Sequence, residues 1–220
     1  IEAGTPLIKS ERLDIVRALR ARFPRHTIVA DMKIMDAGRT ETEAAAKAGA
    51  DIVCVLAAAS ESTVRECVEA GRNYGVKIEA DLIGIATDRT EEQARRMEEL
   101  GVDYIGVHSA IDDQMRAVDP FLRLRQVAAA VGVPVACAGG INSETAPTAL
   151  KAGASIIIVG GAVTKAKSPR RATERIRRAL ASRRGLRSRH FKRVGAEEIK
   201  KALTGLSTSN ISDAMHRSND

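Results

Sequence analysis

At 220 residues and 44% hydrophobic content the chain can bury one sizeable core, the size of a single barrel or doubly wound domain, and no apolar run approaches the ~18 residues of a membrane span. Aromatic residues make up 2%, with no Trp, which leaves the core to Ala, Val, Ile and Leu, suits a parallel sheet covered on both faces, and argues against recognition of bases by stacking. The net charge of +7 is uneven: residues 165–220 hold 16 Lys and Arg against 5 Asp and Glu, while residues 1–164 hold 19 against 23, so a mildly acidic globular part carries a strongly basic tail.

Residues 1–3 read as the end of a strand, so the chain is expected to be a fragment whose preceding strand, and any targeting signal, lie upstream. A helix follows near 10–22, a strand at 27–33, a helix at 39–48 and a strand at 51–57. The same alternation continues with a helix at 61–74, a strand at 77–85, a helix at 90–100 and a strand at 103–108. It closes with a helix at 114–131, a strand at 134–139, a helix at 143–152, a strand at 155–160 and a helix at 169–182. Ser60, Asp88 or Thr90, and Asn142 or Ser143 are placed to cap helix starts, and Gly49, Gly75, Gly101, Gly132 and Gly153 to end helices in the left-handed conformation. Cys54, Cys67 and Cys137 are odd in number and contain no Cys-x-x-Cys, so they read as buried thiols of a reducing, cytoplasmic compartment rather than a disulfide framework or zinc site.

Seven strands alternating with seven helices, without hairpin signals, predict a parallel α/β fold. No Gly-x-Gly-x-x-Gly follows the first strand, so the expected architecture is a (β/α)8 TIM barrel lacking its first strand in this fragment rather than an open doubly wound sheet. The predicted organisation is a barrel at 1–182, a basic linker at 183–193 and the start of a second domain at 194–220. The run Arg183, Arg184, Arg187, Arg189, Lys192 and Arg193 reads either as a solvated linker or as a patch for nucleic acid or another anionic partner.

Chemistry in such barrels sits at the carboxyl ends of the strands. Asp31-Met-Lys33 ends one strand, and period-two alternation predicts that the carboxylate and ammonium share a face. Asp36 follows in the loop, so Lys33 is expected to lie bracketed by Asp31 and Asp36 and to stay charged. Glu2 ends the neighbouring strand, and Glu2 with Asp31 offers two hard carboxylates of the kind Mg2+ accepts alongside water and substrate oxygens. Asp81 is placed to hold Lys33 or substrate, or to serve as an inward structural carboxylate. His108 closes another strand, where it suits a general base or a hydrogen-bonded core position. The last two strands end in Gly139-Gly140 and Gly160-Gly161, whose bare backbone admits an anion, as expected of a phosphate site. Together these residues suit a small sugar phosphate that reacts through an enediolate.

The segments Glu2-Ala-Gly-Thr-Pro-Leu-Ile-Lys, Asp31-Met-Lys33-Ile-Met-Asp36-Ala-Gly, Gly101-Val-Asp-Tyr-Ile-Gly-Val-His108, Asp112-Asp-Gln114, Ala138-Gly-Gly-Ile and Val159-Gly-Gly resemble the 3-hexulose-6-phosphate synthase family, in the orotidine 5'-phosphate decarboxylase superfamily of barrels. The resemblance spans residues 1–182. It implies a reversible, Mg2+-dependent aldol reaction joining formaldehyde to D-ribulose 5-phosphate to give D-arabino-hex-3-ulose 6-phosphate. By position it implies that Glu2 and Asp31 hold the metal, Lys33 meets the enediolate, His108 transfers a proton and the Gly-Gly pairs bind phosphate. It also implies a homodimer, with Asp36 shared across the interface. The related 3-keto-L-gulonate-6-phosphate decarboxylases usually carry an arginine shortly after the histidine, whereas this chain has Ser109-Ala-Ile-Asp112, which favours the aldolase. Ala57, and Ser109-Ala110, depart from the glycine and Thr-Gly usual at those places. Residues 194–201 and 206–215 resemble the opening of the ribonuclease activity regulator (RraA-like) family, which implies a fused second module and assigns no activity to this chain; the basic tail leaves an RNA-associated regulatory role, with the barrel as scaffold, as an alternative.

Overall fold

The structure, a computed structural model, describes residues 1–108, 120–187 and 204, and the chain divides into two compact units, Ile1–Arg187 and Ser188–Asp220. The expected second domain at 194–220 therefore lies outside the described residues apart from Thr204, as do Ser109-Ala110, Asp112 and Gln114.

Among the described residues the first unit has seven strands: β1 (Glu2–Ala3), β2 (Val29–Ile34), β3 (Ile52–Leu56), β4 (Lys77–Asp81), β5 (Tyr104–His108), β6 (Val135–Ala138) and β7 (Ile156–Ile157). They pair in chain order, β1 to β7, and every pairing is parallel. The helices between them are α1 (Thr5–Glu11), α2 (Asp14–Arg22), α3 (Gly38–Lys47), α4 (Glu61–Tyr74), α5 (Thr90–Glu99), α6 (Pro120–Ala130), α7 (Ala146–Lys151), α8 (Gly161–Thr164) and α9 (Pro169–Ser182). The sheet curls as in a TIM barrel, which brings β1 within electrostatic reach of β5 although four inter-strand steps of ~4.8 Å separate them along the ladder.

Alternation within the strands sorts the residues into two environments. Val53, Val55, Ile78, Ala80, Ile105 and Val107 join the main apolar cluster with Val64, Cys67 and Val68 of α4 and Met97 of α5. The alternate residues Cys54, Glu79, Asp81, Gly106 and His108 share the other face. Among the described residues the largest fully buried side chains are Ile, Leu, Val and one Met, with no aromatic among them. All three cysteines are free and buried.

Several boundaries differ from expectation. The helix expected near 10–22 is two helices, because Pro6 starts α1 after Gly4 and Arg12, at φ +58°, ends it. Strand β4 stops at Asp81 rather than 85, where the carboxylate accepts the Ile83 N–H and Gly84 turns left-handed. Ser60 caps α4 by accepting the Thr63 N–H at 3.2 Å. Neither Asp88 nor Thr90 caps α5; Thr90 donates instead to the Ala86 carbonyl. Asn142 accepts the Glu144 and Thr145 N–H groups in a turn that precedes α7. Gly49, Gly75, Gly101 and Gly153 have positive φ as expected, but Gly132 does not. Its N–H is held by the Glu98 carboxylate at 2.8 Å, so the end of α6 is tied by a side chain rather than a left-handed turn.

Candidate active site

The reacting end of the site starts from an irregularity in β2. Its register with β3 runs Val29 to Ile52 and Ala30 to Val53, then jumps so that Ile34 pairs Val55. Four residue steps of β2 oppose two of β3, and within that bulge Lys33 is left-handed, at φ +49°. Such a conformation costs a non-glycine residue roughly 1–2 kcal/mol, so the surrounding contacts must hold it. Asp31 and Lys33 do meet, with Nζ 3.2 Å from Oδ1, but through the bulge and not through regular alternation.

The second carboxylate on Lys33 is Asp81 of β4, with Oδ2 2.6 Å from Nζ. The expectation that Asp36 brackets the lysine is corrected. Asp36 is exposed and its Oδ1 accepts the N–H of Ala37 at 2.7 Å, because the left-handed turn at Lys33 sends the ammonium across the sheet rather than along the loop. Burial alone would lower the Lys33 pKa, but Asp81 and Asp31 outweigh it and hold the pKa above the ordinary lysine value. The ammonium stays charged, as the sequence implies.

Asp81 is the hub of the cluster. Its side chain is 6% exposed; Oδ2 receives Lys33 and lies 3.2 Å from His108 Nδ1, while Oδ1 accepts the Ile83 N–H at 2.9 Å. Burial would raise its pKa, yet the His108 contact and the Lys33 charge prevail and hold it below the usual carboxylate value. An ionised carboxylate only accepts, so His108 must carry its proton on Nδ1 to bond Asp81, which leaves the lone pair of a neutral ring on Nε2.

Glu2 and Asp31 form the neighbouring acidic corner. The Glu2 pKa is raised, first by burial and next by the Asp31 charge. Thr5, which sequence reasoning passed over, places Oγ1 2.8 Å from both the Asp31 carbonyl and Asp31 Oδ2, so its single proton serves one of the two at a time. Two partly buried carboxylates that repel each other make a hard-oxygen donor pair whose charge a divalent cation would relieve. Among the described residues no cluster of three or more His, Cys, Asp and Glu side chains is arranged around one metal position. A cation here would thus complete its shell with other oxygens.

A second residue missed from sequence is Glu79, two positions before Asp81 and so on the same face of β4. It is 5% exposed, and burial followed by the charges of Asp81, Glu2 and Asp31 pushes its pKa up to about 8. Gly106 of β5 makes its space, since a Cβ there would lie 2.5 Å from Glu79 Oε1. The signal was available in the Glu79-Ala-Asp81 spacing. The cause of its perturbation was not, because Glu2 and Asp31 arrive from other strands.

The two Gly-Gly pairs follow the adjacent strands β6 and β7, next to the strand that carries His108. Gly139 and Gly140 both have positive φ, at 93° and 68°, a path other residues rarely follow. A Cβ on Gly160 would meet nothing within 4 Å, and one on Gly161 only Lys165 Cδ at 3.8 Å, so open space lies beside this backbone. The structure thus brings Asp31, Lys33, Asp81 and His108 into direct contact, with Glu2 in their field, and leaves Asp36 apart.

The chain is similar to known proteins in sequence and in fold. The family model of the orotidine 5'-phosphate decarboxylase / HUMPS family matches residues 1–176. The 3-hexulose-6-phosphate synthase of Mycobacterium gastri is 38% identical over 181 residues, covering 82% of this chain and 86% of the relative. The crystal structure of 3-hexulose-6-phosphate synthase from Salmonella typhimurium superposes with a TM-score of 0.79 at 31% identity, covering 83% of this chain and 86% of that one. That of 3-keto-L-gulonate-6-phosphate decarboxylase from Vibrio cholerae gives 0.72 at 27% identity, covering 83% and 85%. With a matched family model over most of its length and this similarity in sequence and in structure, the chain belongs to the orotidine 5'-phosphate decarboxylase / HUMPS family.

Proposed function

We propose that this protein is a Mg2+-dependent aldolase of the 3-hexulose-6-phosphate synthase type, which adds formaldehyde to D-ribulose 5-phosphate and also runs in reverse. The observation that carries the reading is the Asp31–Lys33–Asp81–His108 cluster, in which one buried carboxylate fixes both a permanent cation and the tautomer of a base. Substrate C1 gives its proton to the base, the resulting 1,2-enediolate attacks the formaldehyde carbon, and the new alkoxide takes a proton. His108 Nε2 has the free lone pair for the first transfer and can return the proton in the last. The Lys33 ammonium stabilises the developing oxyanion without moving, because two carboxylates already hold it in place. Glu2 and Asp31 would hold Mg2+, which when bound supplies Lewis-acid polarisation of the substrate oxygens. The backbone of Gly139-Gly140 and Gly160-Gly161 would receive the phosphate, and Asp36, exposed on its loop, is free to serve a partner copy in a homodimer.

The test is consumption of ribulose 5-phosphate by the purified chain with Mg2+, with and without formaldehyde. Loss that requires both is expected. Absence of formaldehyde-dependent loss, together with CO2 release from 3-keto-L-gulonate 6-phosphate, would assign the decarboxylase reaction instead; the similarity to the Vibrio cholerae enzyme makes this the second reading. We also propose, from the motifs at 194–201 and 206–215, that an RraA-like module begins after the basic segment. A longer chain that shows an independently folding unit from residue 194 onward would support it.

A further inference from the structure

The Arg-rich helix α9 plays no part in the chemistry above, and it gathers basic residues with almost no acid beside them. On the rest of the unit several basic side chains meet carboxylates: Arg17 with Asp14, Arg20 with Asp51, Arg39 with Glu66 and Glu69, and Arg96 with Glu61 and Glu99. Residues 165–187 hold ten Lys and Arg and a single acid, Glu174, which pairs with Arg170 at 3.0 Å. Arg171, Arg177, Arg178, Arg183 and Arg184 are all exposed and have no carboxylate within ion-pair distance among the described residues. Two of the arginines, Arg170 and Arg171, lie in the first turn of α9, where a cation opposes the helix dipole, and Arg171 with Arg175 is a like-charge i, i+4 pair. Among the described residues the Arg170–Glu174 pair alone offsets this concentration of positive charge on α9 by an ion pair.

Other contacts hold this surface in place. Ile176 and Ala179 are buried beneath α9, and Ser168 accepts the Arg171 N–H at its start. The segment after the helix is pinned as well: Ser143 Oγ donates to the Leu186 carbonyl at 2.7 Å, the Leu186 N–H returns to the Ser143 carbonyl at 2.9 Å, and Arg175 Nη1 holds the Arg187 carbonyl at 2.8 Å. Arg183 and Arg184 are therefore part of the folded unit.

We propose that the exposed arginine face of α9, continued by Arg183 and Arg184, docks the phosphate backbone of a nucleic acid without reading its sequence. Guanidinium groups match phosphates in geometry and keep their charge at any physiological pH. Fourteen helical residues span ~21 Å, the length of about six base-pair steps, so several phosphates can be met at once. Residues 165–187 contain no aromatic side chain on which a base could stack, which favours the backbone as the ligand. A lipid surface fits less well, because the apolar side of the helix is already buried against the barrel and cannot insert.

The experiment is fluorescence anisotropy of labelled 20-nucleotide single-stranded RNA and 20-base-pair duplex DNA titrated with the full chain between 50 and 300 mM salt, roughly the range over which phosphate contacts are lost. Wild-type protein is expected to bind at least one of the two with log K falling linearly in log salt, the arms showing which form is preferred. The variant R171Q/R177Q/R178Q/R183Q should lose at least about tenfold in affinity and about three in salt slope. The corresponding Arg→Lys variant should keep most of both, which separates charge from folding. Formaldehyde-dependent turnover should be the same in all three proteins, so a failure of the proposed reaction would not be mistaken for a failure of docking. No salt-sensitive binding by wild type would overturn the proposal. So would full binding by the glutamine variant, which would move the contact to residues beyond 187, or tighter binding to anionic vesicles or polyglutamate than to either nucleic acid.

Discussion

At Asp81 a single oxygen, Oδ2, serves both the Lys33 ammonium and the His108 ring, so one substitution disturbs two roles. Asp81→Asn is expected to lower kcat by about 10²–10⁴-fold with a much smaller change in KM, since the lost contacts orient a base and a cation rather than bind the sugar. Steady-state kinetics with varied ribulose 5-phosphate reads this split. Glu79 gives a different residue-scale effect, on stability. Its folded pKa of about 8 lies above the ordinary 4.5, so the native state keeps a proton that the unfolded chain releases. Native stability should therefore fall as pH rises from about 4.5 to about 8 and level off above that, by an amount on the order of a few kcal/mol. Glu79→Gln removes this slope. Thermal unfolding of metal-free protein should show the variant gaining on wild type at pH 8.5 and not at pH 5, and parallel curves would contradict the assignment. The Asp31 and Lys33 pair was legible because two residues on one strand are enough to suggest it. Asp81 as the second holder of Lys33 was one option among several, since 48 residues separate them in sequence and a bulge decides where the ammonium goes.

At the scale of elements, β4 and β5 are fitted to each other at Gly106. An alanine there would place Cβ 2.5 Å from Glu79 Oε1, so Gly106→Ala is expected to cost roughly 1–3 kcal/mol. Truncating Glu79 in the same protein should restore part of that loss, giving a coupling of about 0.5–3 kcal/mol in a double-mutant cycle by denaturant unfolding. Additive losses would mean that the two side chains do not share this space. Ser60→Ala, which removes the hydroxyl that caps α4, should cost about 1 kcal/mol in the same assay. Elements with strong local signals were readable from sequence: α4 starts after Ser60 and ends at Gly75 as expected, and β5 differs by one residue. The break between α1 and α2 was not, because it rests on a left-handed Arg12, a conformation that no residue type there announces. Strand β7 came out shorter than expected; as an edge of the ladder it is paired on one side only, and its ladder partner is the short β6.

For the molecule as a whole, parallel order and curling are what make a site from residues spread over more than a hundred positions. Glu2 on β1 and His108 on β5 sense each other's charge because the sheet curls. That architecture was legible from strand and helix alternation and from the missing Gly-x-Gly-x-x-Gly, whereas the exposure of Arg171, Arg177, Arg178, Arg183 and Arg184 together was not, because it depends on which side of α9 packs down through Ile176 and Ala179. The central claim is that the Lys33–Asp81–His108 cluster makes a carbon–carbon bond to formaldehyde. It is tested most directly by carbon-13 NMR of the Mg2+-loaded protein with labelled formaldehyde and ribulose 5-phosphate. The account predicts that the label moves into the terminal hydroxymethyl carbon of a hexulose phosphate, coupled to its new neighbour, and that Lys33→Ala abolishes the transfer. A formaldehyde signal that stays unchanged with wild-type protein would contradict it.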